Sequence, residues 1–409
     1  MVKLPQPPMS SANLPYLTAN QPGIGGQLKA LPKDFVVEEI PLYTAGGQGQ
    51  HVYAIIEKTG LSTYAAVKAI ARALNISPSH IGYAGLKDAQ AITRQTISID
   101  NVSPDEVEAL DLPHIKILEV NRHQNKLRTG HLAGNRFIIR VRQVTPDTLP
   151  VANAILDTLA RHGVPNYFGE QRFGNRGNTG RLGEMLIRGD AAEFVAEYLG
   201  RPQPHESPKV QAARQLVDEG KWAEAMACWP RFLGDERGVL AALLKAGGQP
   251  EVAFAALNKK IKGFFVSAFQ AELFNELLVE RLERLGRLED GDVAYLHNKG
   301  ACFLVNAAAA EQPRADAFEI SPAGPLFGAK TLPAQGNPAS REEALLAKYN
   351  LTLSDFDAPG LRIQGARRPY RFQLKAVNTW WDDGLMVSFE LPPGAYATTV
   401  MAEVMKPDN

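Results

Sequence analysis

The segment Gly82-Tyr83-Ala84-Gly85-Leu86-Lys87-Asp88, with Thr93-Arg94-Gln95 just after it, sets a carboxylate beside an ammonium on a glycine-bounded loop. A neighbouring cation favours the ionised carboxylate. Glycines at 82 and 85 allow the backbone to approach a ligand closely. Such a carboxylate can attack a reacting centre or stabilise positive charge there; a Gly-Leu-Lys-Asp turn can also be no more than a turn.

A second group runs from Asn121 to Arg142. It contains Arg122, Lys126, Arg128, Arg136, Arg140 and Arg142, with His123 and His131, and no acid. Clustered cations suit phosphate contacts. Asn135 can hydrogen-bond a base edge, and Phe137 can stack on a base or pack in a core. A solvated basic face is the competing reading. Leu361 to Lys375 repeats the pattern with Arg362, Arg367, Arg368 and Arg371 and interleaved Tyr370 and Phe372. Val164 to Asn175 alternates aromatics, Arg and Gly, which fits either a ligand loop or a packed domain junction with Tyr167 and Phe168 buried.

The elements that would position these groups follow from periodicity. Strands are expected at His51–Lys58, Ile81–Ala84, Ile92–Ile99, His114–Val120 and Arg136–Val144. A helix is expected over Leu61–Leu74, capped by Ser62 or Thr63, with Tyr64, Val67, Ala71 and Leu74 on one face. Ser103-Pro104-Asp105-Glu106 reads as a capping box, and a further helix is expected over Pro146–Arg161. From Arg181 to Leu285 the pattern is mostly helical, at Ala191–Leu199, Lys209–Val217, Trp222–Cys228 and Ser267–Leu285. Strands return near Val293–Val305. Ile320–Ser340 is a Pro/Gly/Ala-rich stretch, with a short helix near Arg341–Lys348. More strands and a helix at Thr398–Met405 complete the chain. Residues 1–25 read as a loose arm. Strands and helices without strict β-α-β alternation indicate an α+β fold with an antiparallel sheet.

Composition sets the outer bounds. A chain of 409 residues suggests two domains. With 45% hydrophobic and 22% charged residues it is not a disordered chain. Lys plus Arg equals Asp plus Glu at 44 each, which excludes a protein that coats nucleic acid but not a local basic groove. Cys228 and Cys302 are read as free thiols. No apolar run suits a signal peptide or a membrane span, so a cytoplasmic protein is expected. There is no GxxxxGK[ST] loop, and a strand-like segment rather than a helix follows Gly23-Ile24-Gly25-Gly26. HExxH, zinc spacing and an EF-hand loop are absent as well, so neither a metal nor a cofactor is expected.

Six segments in register resemble the TruD family of tRNA pseudouridine synthases. They are Leu31–Glu39, Gly82–Asp88 with Thr93–Gln95, Leu132–Phe137, Asn166–Gly174, Ser321–Leu326 and Phe389–Gly394. Residues 1–25 fall outside the resemblance, and Pro202–Leu257 matches none of its motifs. The resemblance implies a pseudouridine synthase core, an antiparallel sheet flanked by helices, at 1–165 and 367–409. A helix-rich α/β TRUD domain would be inserted at 166–366. The implied reaction breaks the C1′–N1 bond of a uridine, expected to be uridine 13 of tRNA, and rejoins the base through C5. Asp88 matches the catalytic aspartate. Phe35, Asn135 and Phe389 match positions that contact the target nucleotide; Lys33, Lys87, Phe137 and Arg128 are further RNA-binding candidates. Lys87 is expected to neutralise a phosphate or steady Asp88. The implied partner is tRNA, with no membrane and no nucleotide cofactor, and the protein is expected to be a monomer. Three other readings stand beside this one: another structured RNA as substrate, an RNA-binding protein without catalysis, or a nucleoside or sugar hydrolase. The hydrolase would need two carboxylates across the bond.

Overall fold

The computed structural model describes residues 14–357 and 363–407; Arg362 of the second basic stretch lies outside them. The chain divides into two compact units, Tyr16–Val164 with Phe372–Asn409, and Pro165–Arg371 with the N-terminal residues to Pro15.

The first unit is built on an eight-stranded sheet. Its strands are β1 (Phe35–Pro41), β2 (His51–Thr59), β3 (Ile81–Tyr83), β4 (Ile92–Ile99), β5 (Ile115–His123), β6 (Leu132–Val141) and two C-terminal strands, Lys375–Trp381 and Leu385–Leu391. From one edge to the other the order is Lys375–Trp381, Leu385–Leu391, β6, β1, β4, β2, β5, with β3 also on β4. The pairings are antiparallel, as the α+β reading expects, except that β1 runs parallel to β4.

Period-two alternation directs one face inward. Phe35, Val37 and Glu39 on β1 lie opposite Ile139, Phe137 and Asn135 on β6. Phe389 and Leu391 continue that row. On β2, Val52, Ala54, Ile56 and Lys58 alternate in the same way against β4. Helices cover this face in two halves. Helix α1 (Thr63–Ala73) packs on the β2/β4 half through Ala66, Val67, Ile70 and Ala71. Helix α3 (Thr148–His162) and the helix Ala397–Met405 pack on the β1/β6 half. Between α1 and α3, the short helix α2 (Pro104–Glu108) carries the expected capping box from Ser103 and Glu106. Ser62 caps α1 by accepting from the Ala65 N–H at 3.1 Å.

Several expectations are corrected. Tyr64 is 57% exposed, because the buried stripe of α1 runs through Thr63, Ala66, Val67, Ile70 and Ala71 instead. β6 begins four residues earlier than the pattern suggested. The described part of the N-terminal arm is packed: Thr18 is buried and donates from its N–H and hydroxyl to the Glu403 carboxylate at 3.0 and 2.6 Å. Ile24 joins the Val404 carbonyl at 3.1 Å.

The second unit is helix-rich from Thr179 to Arg281, including the long helix Lys259–Arg281, eight residues longer at its start than its periodicity implied. Its four-stranded antiparallel sheet has the order Ala366–Pro369, Ile320–Leu326, Val293–Leu296, Cys302–Leu304. Ile320–Leu326 is a central, buried strand despite Pro322 and Pro325. Tyr167 and Phe168 are buried, as the packed reading of that segment holds.

Gly82 and Gly85 separate here. A Cβ on Gly82 would lie 2.3 Å from the Leu127 carbonyl oxygen, whereas one on Gly85 meets nothing nearer than 4.0 Å. The small residue at 82 serves internal packing. Gly82→Ala should therefore destabilise the fold by about 1–3 kcal/mol and Gly85→Ala by less than about 0.5 kcal/mol. Urea unfolding midpoints check this, and equal shifts would refute it.

Candidate active site

Strands β1 and β3 flank the same edge of β4 end to end. β1 pairs with Ile92 to Arg94, and β3 pairs with Ile97 to Ile99. The segment from Ala84 to Ala91, which carries Lys87 and Asp88, leaves the sheet where the two meet. The Thr96 N–H at that interruption is taken by the Glu39 carboxylate at 3.2 Å. A side chain thus replaces a missing ladder bond, as a buried backbone donor requires.

The loop is fixed from three directions. The Thr63 hydroxyl accepts from the Lys87 N–H at 2.9 Å and donates to Gln95 Oε1 at 2.9 Å. Lys58, fully buried at the end of β2, donates to the Asp88 carbonyl at 3.0 Å and also to the Leu61 carbonyl. The Gly60 N–H reaches the Ala91 carbonyl at 3.2 Å.

Lys87 does not touch Asp88. Its side chain turns inward, where Nζ donates to Asn135 Oδ1 at 2.6 Å and pairs with Glu39 at 2.9 Å. Lys87 is not a surface charge but a buried cation between two cross-strand partners.

The Asp88 carboxylate, one-third exposed, pairs with Lys29 and accepts from the Gln90 N–H at 2.9 Å. Burial raises its pKa, but the Lys29 ammonium, the Gln90 N–H and the charge on Lys58 outweigh that and hold the carboxyl below its ordinary value. Lys29 adopts φ +54° and lies 4.4 Å above the Phe35 ring. Behind it, Phe35 meets Phe137 edge-on at 6.0 Å, and Phe137 meets Phe389 at 5.7 Å. All three rings are buried, Phe389 completely.

The structure therefore brings Asp88, Lys87, Asn135, Phe35, Phe137 and Phe389 to one region of one sheet face. Lys33 and Arg128 are exposed. The basic stretch dissolves into pairs. Arg136 meets Glu390 at 2.7 Å, Arg140 meets Asp382 at 2.5 Å, Arg142 meets the buried Asp34 at 2.7 Å, and Lys126 meets Asp100 at 2.6 Å. In the second stretch the buried Arg367 pairs with Glu342 and Arg368 stacks 4.1 Å over Phe168. Neither stretch forms an open row of cations among the described residues.

Sequence reasoning missed Lys29, Glu39, Lys58 and Thr63 as site groups. Glu39 and Lys58 carried a signal: each continues an apolar alternation in phase, and a charge in phase with a buried face must have a buried partner. Lys29 carried none.

Residues 11–404 match the family described as tRNA pseudouridine synthase D (TruD). The chain is 46% identical over 393 residues to the tRNA pseudouridine synthase D of Geobacter metallireducens, covering 96% of this chain and 97% of that one. It is 45% identical over 395 residues to that of Syntrophotalea carbinolica, covering 96% and 99%. A Methanosarcina mazei chain solved by crystallography and assigned as tRNA pseudouridine synthase D superposes with a TM-score of 0.87 at 29% identity, covering 97% of each.

Burial pushes the Lys58 ammonium down to about 8; the Asp88 charge opposes the shift and that of Lys87 adds to it. Between about 8 and its ordinary 10.5 the unfolded chain then holds the extra proton, so this group makes stability rise with pH across that window. A Cε-labelled lysine spectrum should show one resonance titrating near 8. It should vanish in Lys58→Met and move to lower pH in Asp88→Asn. Lysines titrating only near 10.5 would refute the assignment.

Proposed function

Because the chain belongs to the TruD family of tRNA pseudouridine synthases, we propose that Asp88 is the carboxylate with which it converts uridine to pseudouridine in tRNA. The observation that carries this is the placement of Asp88. It is ionised and partly exposed on a loop fixed at both ends; its neighbour Lys87 is buried against the half-buried Asn135, and its partner Lys29 lies over the buried Phe35.

Breaking the C1′–N1 bond builds positive charge on the ribose, which an ionised carboxylate can stabilise or attack. Lys29 holds Asp88 ionised and oriented. The target base must leave its stack to arrive. We assign it the space over Phe35 that the Lys29 ammonium covers, with Phe137 and Phe389 as the rigid backing rather than as exposed stacking platforms. Asn135, its Oδ1 engaged by Lys87, offers its Nδ2 to a uracil carbonyl. Lys33 and Arg128 are assigned to phosphates. The target is taken to be uridine 13, and the enzyme to act as a cytoplasmic monomer without cofactor. The catalytic domain corresponds to 1–165 with 367–409, and the inserted TRUD domain to 166–366.

A hydrolase would need a second working carboxylate. Glu39 is near, but its oxygens are committed to the Thr96 N–H and Lys87, which disfavours that reading.

Incubating the protein with unmodified tRNA transcripts and mapping pseudouridine nucleotide by nucleotide tests the proposal. One new pseudouridine is expected, at position 13, lost in Asp88→Asn while RNA affinity stays within about two-fold. An unchanged yield in Asp88→Asn sinks the catalytic assignment. For the phosphate contacts, Arg128→Ala should lower the slope of log K against log salt by about 1. Arg136→Ala, whose guanidinium is already held by Glu390, should leave it unchanged; equal slopes in the two variants would remove Arg128 from the interface.

A further inference from the structure

The helices of the second unit line an open cavity of about 580 Å³ that no step above uses. Much of its wall comes from Pro202–Leu257, the stretch that matches no motif. Its lining includes Asn178, Tyr198, Phe232, Asp235, Glu236 and Phe264.

Two aromatic rings at this cavity stay in water: Phe232 is 77% exposed and Phe264 is 43% exposed. A single exposed ring needs no explanation, but two on one concave site mark a binding surface. The arginines that line it are already engaged. Arg176 donates to the carbonyls of Glu197, Tyr198, Gly200 and Arg201, and Arg214 to Glu206 and to the carbonyls of Tyr198 and Leu199. They brace the floor. Besides the flat apolar rings, the lining offers Asn175, His205 and Ser207 and two carboxylates, Asp235 and Glu236, in the first turn of the helix Gly234–Lys245. Both carboxylates act on Tyr198, whose phenol pKa is raised first by burial and then by Glu236 and Asp235. Lys259 and Lys260 are exposed at the start of the helix Lys259–Arg281, about one turn before Phe264.

Aromatic faces beside lysines suit a single-stranded nucleotide, the base on the rings and the phosphate at the ammonium groups. The carboxylates narrow the choice of base. Uracil offers one N–H between two carbonyl oxygens, which two carboxylates repel. Guanine, adenine and cytosine each offer an exocyclic amine that a carboxylate accepts. We propose that this cavity binds a second, unpaired nucleotide of the RNA substrate, one whose base carries an exocyclic amine. The proposal rests on the reading of the chain as an enzyme acting on tRNA, but its test reads binding rather than isomerisation.

Full-length protein is titrated into a fluorescently labelled, unmodified tRNA transcript. Losing one base–aromatic stack should raise Kd at least about five-fold in Phe232→Ala. Phe232→Tyr, which keeps the stacking face, should restore wild-type Kd. With Phe232→p-benzoylphenylalanine, irradiation should crosslink one guanine, adenine or cytosine away from the modified uridine. A Kd in Phe232→Ala within two-fold of wild type overturns the pocket, as does a crosslink to a uridine. A wild-type protein that makes no pseudouridine refutes the function proposed above, yet its Kd and crosslink still decide the pocket.

Discussion

The ammonium of Lys87 is the point on which the active region depends. It sits between Glu39 and Asn135, two residues directly opposite each other on β1 and β6, with almost no access to water. An isolated buried cation would cost several kcal/mol, so the site is tolerable only with both partners in place. The same contact ties the loop bearing Asp88 to the middle of the sheet. Glu39 does double service, since its other oxygen closes the interruption where β1 and β3 meet along β4. The carboxylate we propose to react and the carboxylate that holds the loop are therefore different residues, distinguished by environment. Asp88 is partly open to water and paired with one cation; Glu39 is buried and committed.

Electrostatics across the first unit follow one rule: charge is spent locally. Several cations of the sheet face acids on neighbouring strands, as Arg136 faces Glu390 and Arg94 faces Glu38 and Glu57. Surface pairs of this kind contribute little stability each, but they cancel the long-range field that an unbroken run of arginines suggests. RNA affinity then has to come from a few exposed groups and from shape.

Much of this architecture was legible in the sequence because the signals were local. Ser62 and Ser103 are caps whose spacing names the helix start, and period-two alternation located β2 and β4 to within a residue. The loop of Asp88 was legible through its flanking strands, and family resemblance raised it above an ordinary turn. The failures have physical causes. Tyr64 fits the helical period but lies just outside the buried stripe, where Lys68 covers its ring. Ile320–Leu326 hides a central strand behind two prolines, whose missing donors leave carbonyls free to pair, as the Tyr370 N–H does with Pro322 at 2.9 Å. Arg136 and Arg140 look like a groove because their partners, Glu390 and Asp382, are more than 240 positions away. Lys29 reaches Asp88 from 59 positions upstream, and no periodicity encodes such an encounter.

The pairing of β6 with Leu385–Leu391 also has a consequence for how the chain is made. Arg136 and Glu390 are neighbours separated by 254 positions. A ribosome adding about 5–20 residues per second takes on the order of ten to fifty seconds to supply the missing strand. Throughout that interval β6 presents an unpaired edge, and its inward side chains Phe137, Ile139 and Val141 lack the part of their cover that Leu385–Leu391 and Ala397–Met405 supply. Such an edge is a template for wrong partners, and distant pairings of this kind form slowly even in a complete chain. A nascent chain halted before Leu385 thus carries an open sheet edge and an incomplete core, although Lys29, Lys58 and Gln90, which contact Asp88, have already been synthesised.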